Sequence, residues 1–146
     1  MKWLIISGVC LLISVVGRIV YSFLRDLNKD NTDLDGISVS DKFKIIVDEL
    51  NLRAFNGKGD IIPVDKRNFN LYEDGQNQII QFEYSTGILT IRWRYKYFKK
   101  EVVHEKHFHD ARNLSASDQA MIASQMIEEM SQIIELHKKK VLSMSL

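Results

Sequence analysis

Cysteine and proline each occur once in the 146-residue chain. A lone thiol, Cys10, excludes an intramolecular disulfide and a zinc site built on several thiolates. One proline and seven glycines leave little material for long linkers or low-complexity tails, and no solenoid repeat is present. A surplus of one charge is missing as well. The formal net charge of +1 creates no global field toward nucleic acid or lipid, so such a partner would have to be met by a local patch. The chain has no Gly-x-Ser-x-Gly elbow and no phosphate loop, and Gly57-Lys58-Gly59 is too short to be one. No catalytic residue and no cofactor are therefore expected. What the chain does have, 27% charged and 45% hydrophobic residues, is the balance of a folded domain, with room for one.

The hydrophobic residues are unevenly spread. Between Trp3 and Leu24 the only charged residue is Arg18. A helix over those positions would cover roughly the 30 Å hydrocarbon core of a bilayer. Trp3 and Tyr21 stand near its ends, where amphipathic rings favour the interface, and Arg18 is close enough to one end to snorkel. Residues 1–25 are thus expected to be a single-pass transmembrane anchor, with contact to the membrane through residues 3–24. A secretory signal is the alternative, with Lys2 as its basic start and cleavage near Gly17, which would leave a secreted or periplasmic domain. Arg18, Arg25 and Lys29 outnumber Lys2 and the terminal amine, which favours a cytoplasmic domain. Residues 26–36, polar and turn-rich, read as a tether.

Residues 37–146 are expected to form one soluble α+β domain. Ser38 and Asp41 resemble a helix-capping box, and Val39, Phe43, Ile46, Val47 and Leu50 follow as an amphipathic stripe that should end near Asn56-Gly57. A four-stranded antiparallel meander is expected next, over 68–72, 78–84, 89–97 and 102–108, with turns at 73–76, 85–87 and 99–101. In the third strand Leu89, Ile91, Trp93, Tyr95 and Tyr97 alternate with Thr90, Arg92, Arg94 and Lys96, so one face is covered and one is wet. A second capping box at Ser115 and Asp118 opens a final helix striped by Ile122, Met126, Met130, Ile133 and Ile134. Two amphipathic helices flanking the meander make a two-layer sandwich behind the N-terminal transmembrane helix.

Two clusters carry possible chemistry. Glu105, His107 and His109 project from one face of a strand and could together hold zinc or iron; the duller reading is a polar strand on the wet face. Arg92, Arg94, Lys96, Lys99 and Lys100 form a basic patch suited to anionic headgroups or an acidic protein partner. The aromatics of the same strand point to the opposite face, so a nucleic-acid stacking platform is not expected. Glu83 and Glu101 are placed to pair with the arginines across strands. The expected function is that of a membrane-anchored, non-enzymatic interaction or accessory domain. The alternative is a metal-binding domain or enzyme using Glu105, His107 and His109.

Overall fold

A computed structural model describes the backbone from Lys2 to Met144 and the side chains from Leu11 to Met144. The first helix, α1, runs from Lys2 to Asp33. Among the described residues no helix is long and apolar enough to cross a membrane. Trp3, Cys10 and the rest of the first part of the apolar run lie outside the described side chains. The part that is described, from Leu11, is interrupted by Arg18, Arg25 and Asp26. Its large apolar residues, Leu12, Ile13, Val16, Ile19, Val20 and Leu24 among them, are all exposed, so none of the other described residues covers them.

Residues 26–36, expected as a polar tether, are instead helical to Asp33 and fixed to the domain, with Asp30 and Leu34 buried.

A short helix α2 (Val39–Lys42) leads into α3 (Lys44–Phe55). Ser38 caps the first: its Oγ accepts the Asp41 N–H at 3.0 Å and donates to the Asp41 carboxylate at 2.7 Å. The expected single helix is split at Phe43, whose backbone leaves helical geometry (φ −107°, ψ 32°). Its fully buried ring meets that of Tyr84 edge-on at 5.3 Å. Helix α3 ends at Asn56, in the left-handed conformation that its sequence suggested (φ 53°).

The sheet has five strands, not four, in the order β1 (Asp60–Pro63), β2 (Asn68–Tyr72), β3 (Gln78–Ser85), β4 (Ile88–Tyr97) and β5 (Lys100–Phe108), all antiparallel. The extra strand, β1, is short and exposed throughout, and it ends at Pro63. An edge strand tolerates proline because one row of its N–H groups has no partner to lose. Two-residue turns join β3 to β4 through Thr86-Gly87 and β4 to β5 through Phe98-Lys99, all four residues at positive φ.

The last helix, α4 (Ala116–Ser143), starts with a full capping box in which Ser115 and Asp118 each accept the other's backbone N–H. The Ser115 hydroxyl, which also donates to the Asp118 carboxylate at 2.7 Å, and after it the Ser115 N–H hold that carboxyl below its ordinary pKa. Helices α3 and α4 pack on one face of the sheet. Ile46, Leu50, Met126 and Met130 are fully buried with Leu71, Ile80, Leu89 and Ile91 of the strands, and Phe69 stacks on Phe82 at 4.5 Å. Each such side chain contributes about 1.5–3 kcal/mol relative to exposure. The molecule is a two-layer α+β fold with α1 attached at one end of the sheet.

Candidate functional site

The outer face of the sheet is where sequence placed the basic patch, and the structure divides that patch in two. Arg92 is paired with Glu105, and Arg94 donates to both oxygens of Glu101, at 3.1 and 3.0 Å. These arginines are already neutralised by neighbours on β5. Glu83, expected to pair with them, stands opposite Thr90 instead. Between β2 and β4 lies a shallow polar depression of about 380 Å³, lined by residues including Asn70, Glu83, Thr90 and Arg92. Lys96, Lys99 and Lys100 lie away from this, around the β4–β5 turn, and are exposed.

The three expected metal donors do not converge. Glu105 and His107 are adjacent, with Oε1 3.3 Å from Nε2. His107 also meets the Thr90 hydroxyl through Nδ1 at 2.9 Å. His109 lies past the end of β5, in the turn, and joins neither contact. Among the described residues no group of three or more His, Cys, Asp or Glu side chains is placed to hold a metal ion. The neighbouring histidine, His104, faces α4, where its Nε2 lies 2.8 Å from Glu129, and Lys106 donates to the same carboxylate at 2.7 Å. Lys106 first, and His104 after it, hold the Glu129 carboxyl below its ordinary pKa.

The densest polar constellation is one the sequence did not reveal. It joins α1 to the near end of the sheet and centres on Asp30, whose side chain is fully buried. Both backbone N–H groups of the Thr86-Gly87 turn donate to its carboxylate, that of Gly87 at 2.9 Å. Two successive left-handed residues aim their amides into one concavity, a nest suited to an anion, and here the chain supplies its own. Arg112, which follows β5, donates to the same carboxylate at 2.9 Å, and Arg67, from the β1–β2 loop, approaches it at 3.7 Å. Both guanidinium groups also reach backbone of α1, Arg112 at the Asp26 carbonyl (3.2 Å) and Arg67 at the Leu27 carbonyl (3.1 Å). These carbonyls belong to the last turns of the helix, where cations complement the dipole.

A second carboxylate completes the junction. Tyr84, fully buried on β3, donates its hydroxyl to Asp33 at 3.1 Å. Burial, this bond and the nearby Asp30 and Asp33 charges push the phenol well above its ordinary pKa. Gly87 is required for space as well as conformation: its φ is +74°, and a Cβ there would lie 2.6 Å from Arg112 Nη1. Lys42 of α2 donates to the Arg112 carbonyl at 2.7 Å, so the arginine's own backbone is held by the helical layer. Three separate segments, around Arg67, Tyr84 to Gly87 and Arg112, therefore fix the end of α1, and α2 braces the third. The sequence signal that pointed here was weak: a Thr-Gly turn, and aspartates spaced four or three apart in a segment polar enough to pass for a linker.

Comparisons of the chain with family models, with curated proteins and with solved structures find no match.

Proposed function

We propose that the chain is a membrane-anchored interaction module, in which α1 holds the α+β domain at a bilayer and the domain binds a protein or an anionic surface. The observation that carries this reading is the uncovered apolar surface of α1 from Leu11 to Leu24. A lone helix exposing such residues on every side needs an apolar surrounding. The sequence extends the same character back to Trp3, which gives a length suited to the hydrocarbon core. The Asp30 junction supports the second half of the proposal. Because the helix end is held by Arg67, Arg112 and the Thr86-Gly87 turn, the domain is presented in a set orientation rather than on a loose leash. Binding is favoured over catalysis because the Asp30 carboxylate and the Tyr84 hydroxyl of that junction are committed to internal partners. The excess of Arg18, Arg25 and Lys29 toward the C-terminal side of the run favours the cytoplasmic side.

Membrane fractionation with alkaline extraction, followed by the intact mass of the recovered chain, tests the anchor. The full-mass chain is expected in the pellet. Leu12→Lys combined with Val16→Lys should move most of it to the supernatant, because each charge at the centre of a span costs about 2.5–3.5 kcal/mol. Wild-type protein in the soluble fraction, or a chain shortened near Gly17, would sink the reading.

A further inference from the structure

The end of the sheet away from the α1 junction has a different character. Strand β4 starts at Ile88 beside the Thr86-Gly87 turn and, ten residues long, ends at Tyr97, about 30 Å away. Helix α4 runs the same way over 28 residues. At this far end the β4–β5 hairpin carries Lys96, Lys99 and Lys100, with Lys96 on the outer face, and the last turns of α4 carry Lys138, Lys139 and Lys140, of which Lys140 lines a cavity together with Lys100. The two pieces are fastened together. His137 Nε2 donates to the Lys100 carbonyl at 3.1 Å, and Lys138 Nζ sits 5.7 Å from the ring centroids of both Tyr95 and Tyr97. Of the acidic groups near by, Glu101 is committed to Arg94, Glu135 lies one turn back on α4, and Glu73 and Asp74 belong to the β2–β3 turn on the other flank.

Phe98 forms the tip of that hairpin. It is 68% exposed, touches the Tyr97 ring edge-on at 4.7 Å, and adopts φ 46°, with Lys99 following at φ 63°. A turn of this hand is best made by Asn-Gly, and a bulky residue in the left-handed region is an outlier. Folding alone accounts for neither the strain nor the exposed ring. An exposed aromatic tip followed directly by Lys99 and Lys100, with the α4 lysines on the same end of the fold, has the amphipathic form that partitions into a bilayer interface, with the ring among the headgroups and the ammonium groups on the phosphates. A cavity of about 520 Å³ beside the tip has Lys100 and Lys140 in its lining, so it too presents ammonium groups to a phosphate.

We propose that this far end is a docking site for an anionic phospholipid bilayer, with Phe98 as the inserted residue and the lysines around it as headgroup contacts. The proposal stands independently of the anchor reading. The distance between the two ends means that, if both hold, the surface met by Phe98 is not the bilayer patch directly around α1.

The test uses the full chain carried in phosphatidylcholine nanodiscs, which satisfy α1, and measures capture of those discs by added vesicles. Capture by vesicles containing 30% phosphatidylglycerol should exceed capture by pure phosphatidylcholine at least tenfold and fall sharply at high salt. Each lysine near an anionic surface raises binding roughly fivefold, so Lys99→Glu with Lys100→Glu should reduce capture more than about 25-fold, whereas Lys99→Arg with Lys100→Arg should preserve it. Phe98→Gly relieves the turn, so its melting temperature should hold or rise while capture falls about tenfold. Equal capture by both vesicle types would overturn the proposal, as would capture indifferent to these variants. Binding to a polyglutamate peptide with none to vesicles would also overturn it, in favour of an acidic protein segment. A chain that does not enter nanodiscs counts against the anchor instead, and the same vesicle comparison is then made with the free chain.

Discussion

Two sets of arginine–carboxylate pairs occupy this molecule, and they share little beyond their chemistry. On the outer face of the sheet, Arg94 and Glu101 are each 40% exposed, and Arg92 and Glu105 are 45% and 32% exposed. At the α1 junction Asp30 is wholly out of water, with two arginines and two backbone amides directed at it. An exposed pair exchanges hydration for a weak attraction and comes out close to even. A buried carboxylate has lost its hydration entirely, so each remaining partner is needed and removing the centre strands the rest. The lesson is that equal geometry is not equal energy: the short outer-face pairs match the junction's in distance, while burial places the energy at the helix junction.

The sharpest way to break this contrast is Asp30→Ala. It leaves Arg67, Arg112 and the Thr86 and Gly87 amides facing a void, and a loss of about 3–5 kcal/mol is expected. Urea unfolding of the full chain in detergent would measure it; a loss under 1 kcal/mol would show that the junction is an ornament of the fold.

A smaller effect is expected at the second carboxylate, and it depends on pH. The Tyr84 phenol is held above its ordinary pKa of 10.0. The unfolded chain therefore releases that proton first, so the contribution is complete below pH 10 and is lost as pH rises from there toward the folded-state value. Tyr84→Phe should cost about 1 kcal/mol near neutrality and flatten this alkaline limb, as followed by melting temperature between pH 8 and 11. An unchanged limb in the variant would assign it to other groups. The smallest effect belongs to the outer face: Arg94→Ala should change stability by at most about 0.5 kcal/mol, with even that difference vanishing in 1 M salt.

Much of the domain could be read from its sequence, and the reasons are local. Strands β2 to β5 were placed nearly to the residue because one face is apolar and the other wet, as the alternation from Leu89 to Tyr97 displays directly. Helix α4 declared itself through Ser115 and Asp118, and its methionines sorted as their spacing implied, with Met126 and Met130 buried and Met121 exposed. Strand β1 escaped notice because it is fully exposed and carries the one proline, so neither periodicity nor propensity marks it. The split at Phe43 was equally hidden, since the apolar stripe continues across it.

The junction was illegible for a stronger reason. Asp30 and the Thr86, Gly87 and Arg112 groups that satisfy it are 56, 57 and 82 residues apart in the chain. Along the sequence, an aspartate awaiting such partners looks the same as one in a solvated linker. The His cluster fails in the opposite direction. Its spacing suggests convergence, but the strand ends at Phe108, so His109 leaves the face that Glu105 and His107 share.

Strand β1 has one more consequence, for copies of the chain held close together. An unpaired sheet edge is a template on which another copy can add a strand. The β1 edge offers only four residues, and Pro63 contributes no N–H to a new ladder. The opposite edge, β5, carries Lys100, Glu101, His104, Glu105, Lys106 and His107 along its length, groups that would resist the desolvation such pairing requires. Neighbouring molecules are thereby kept from fusing into a common sheet even when crowded, and whatever meets this domain must do so through its side chains.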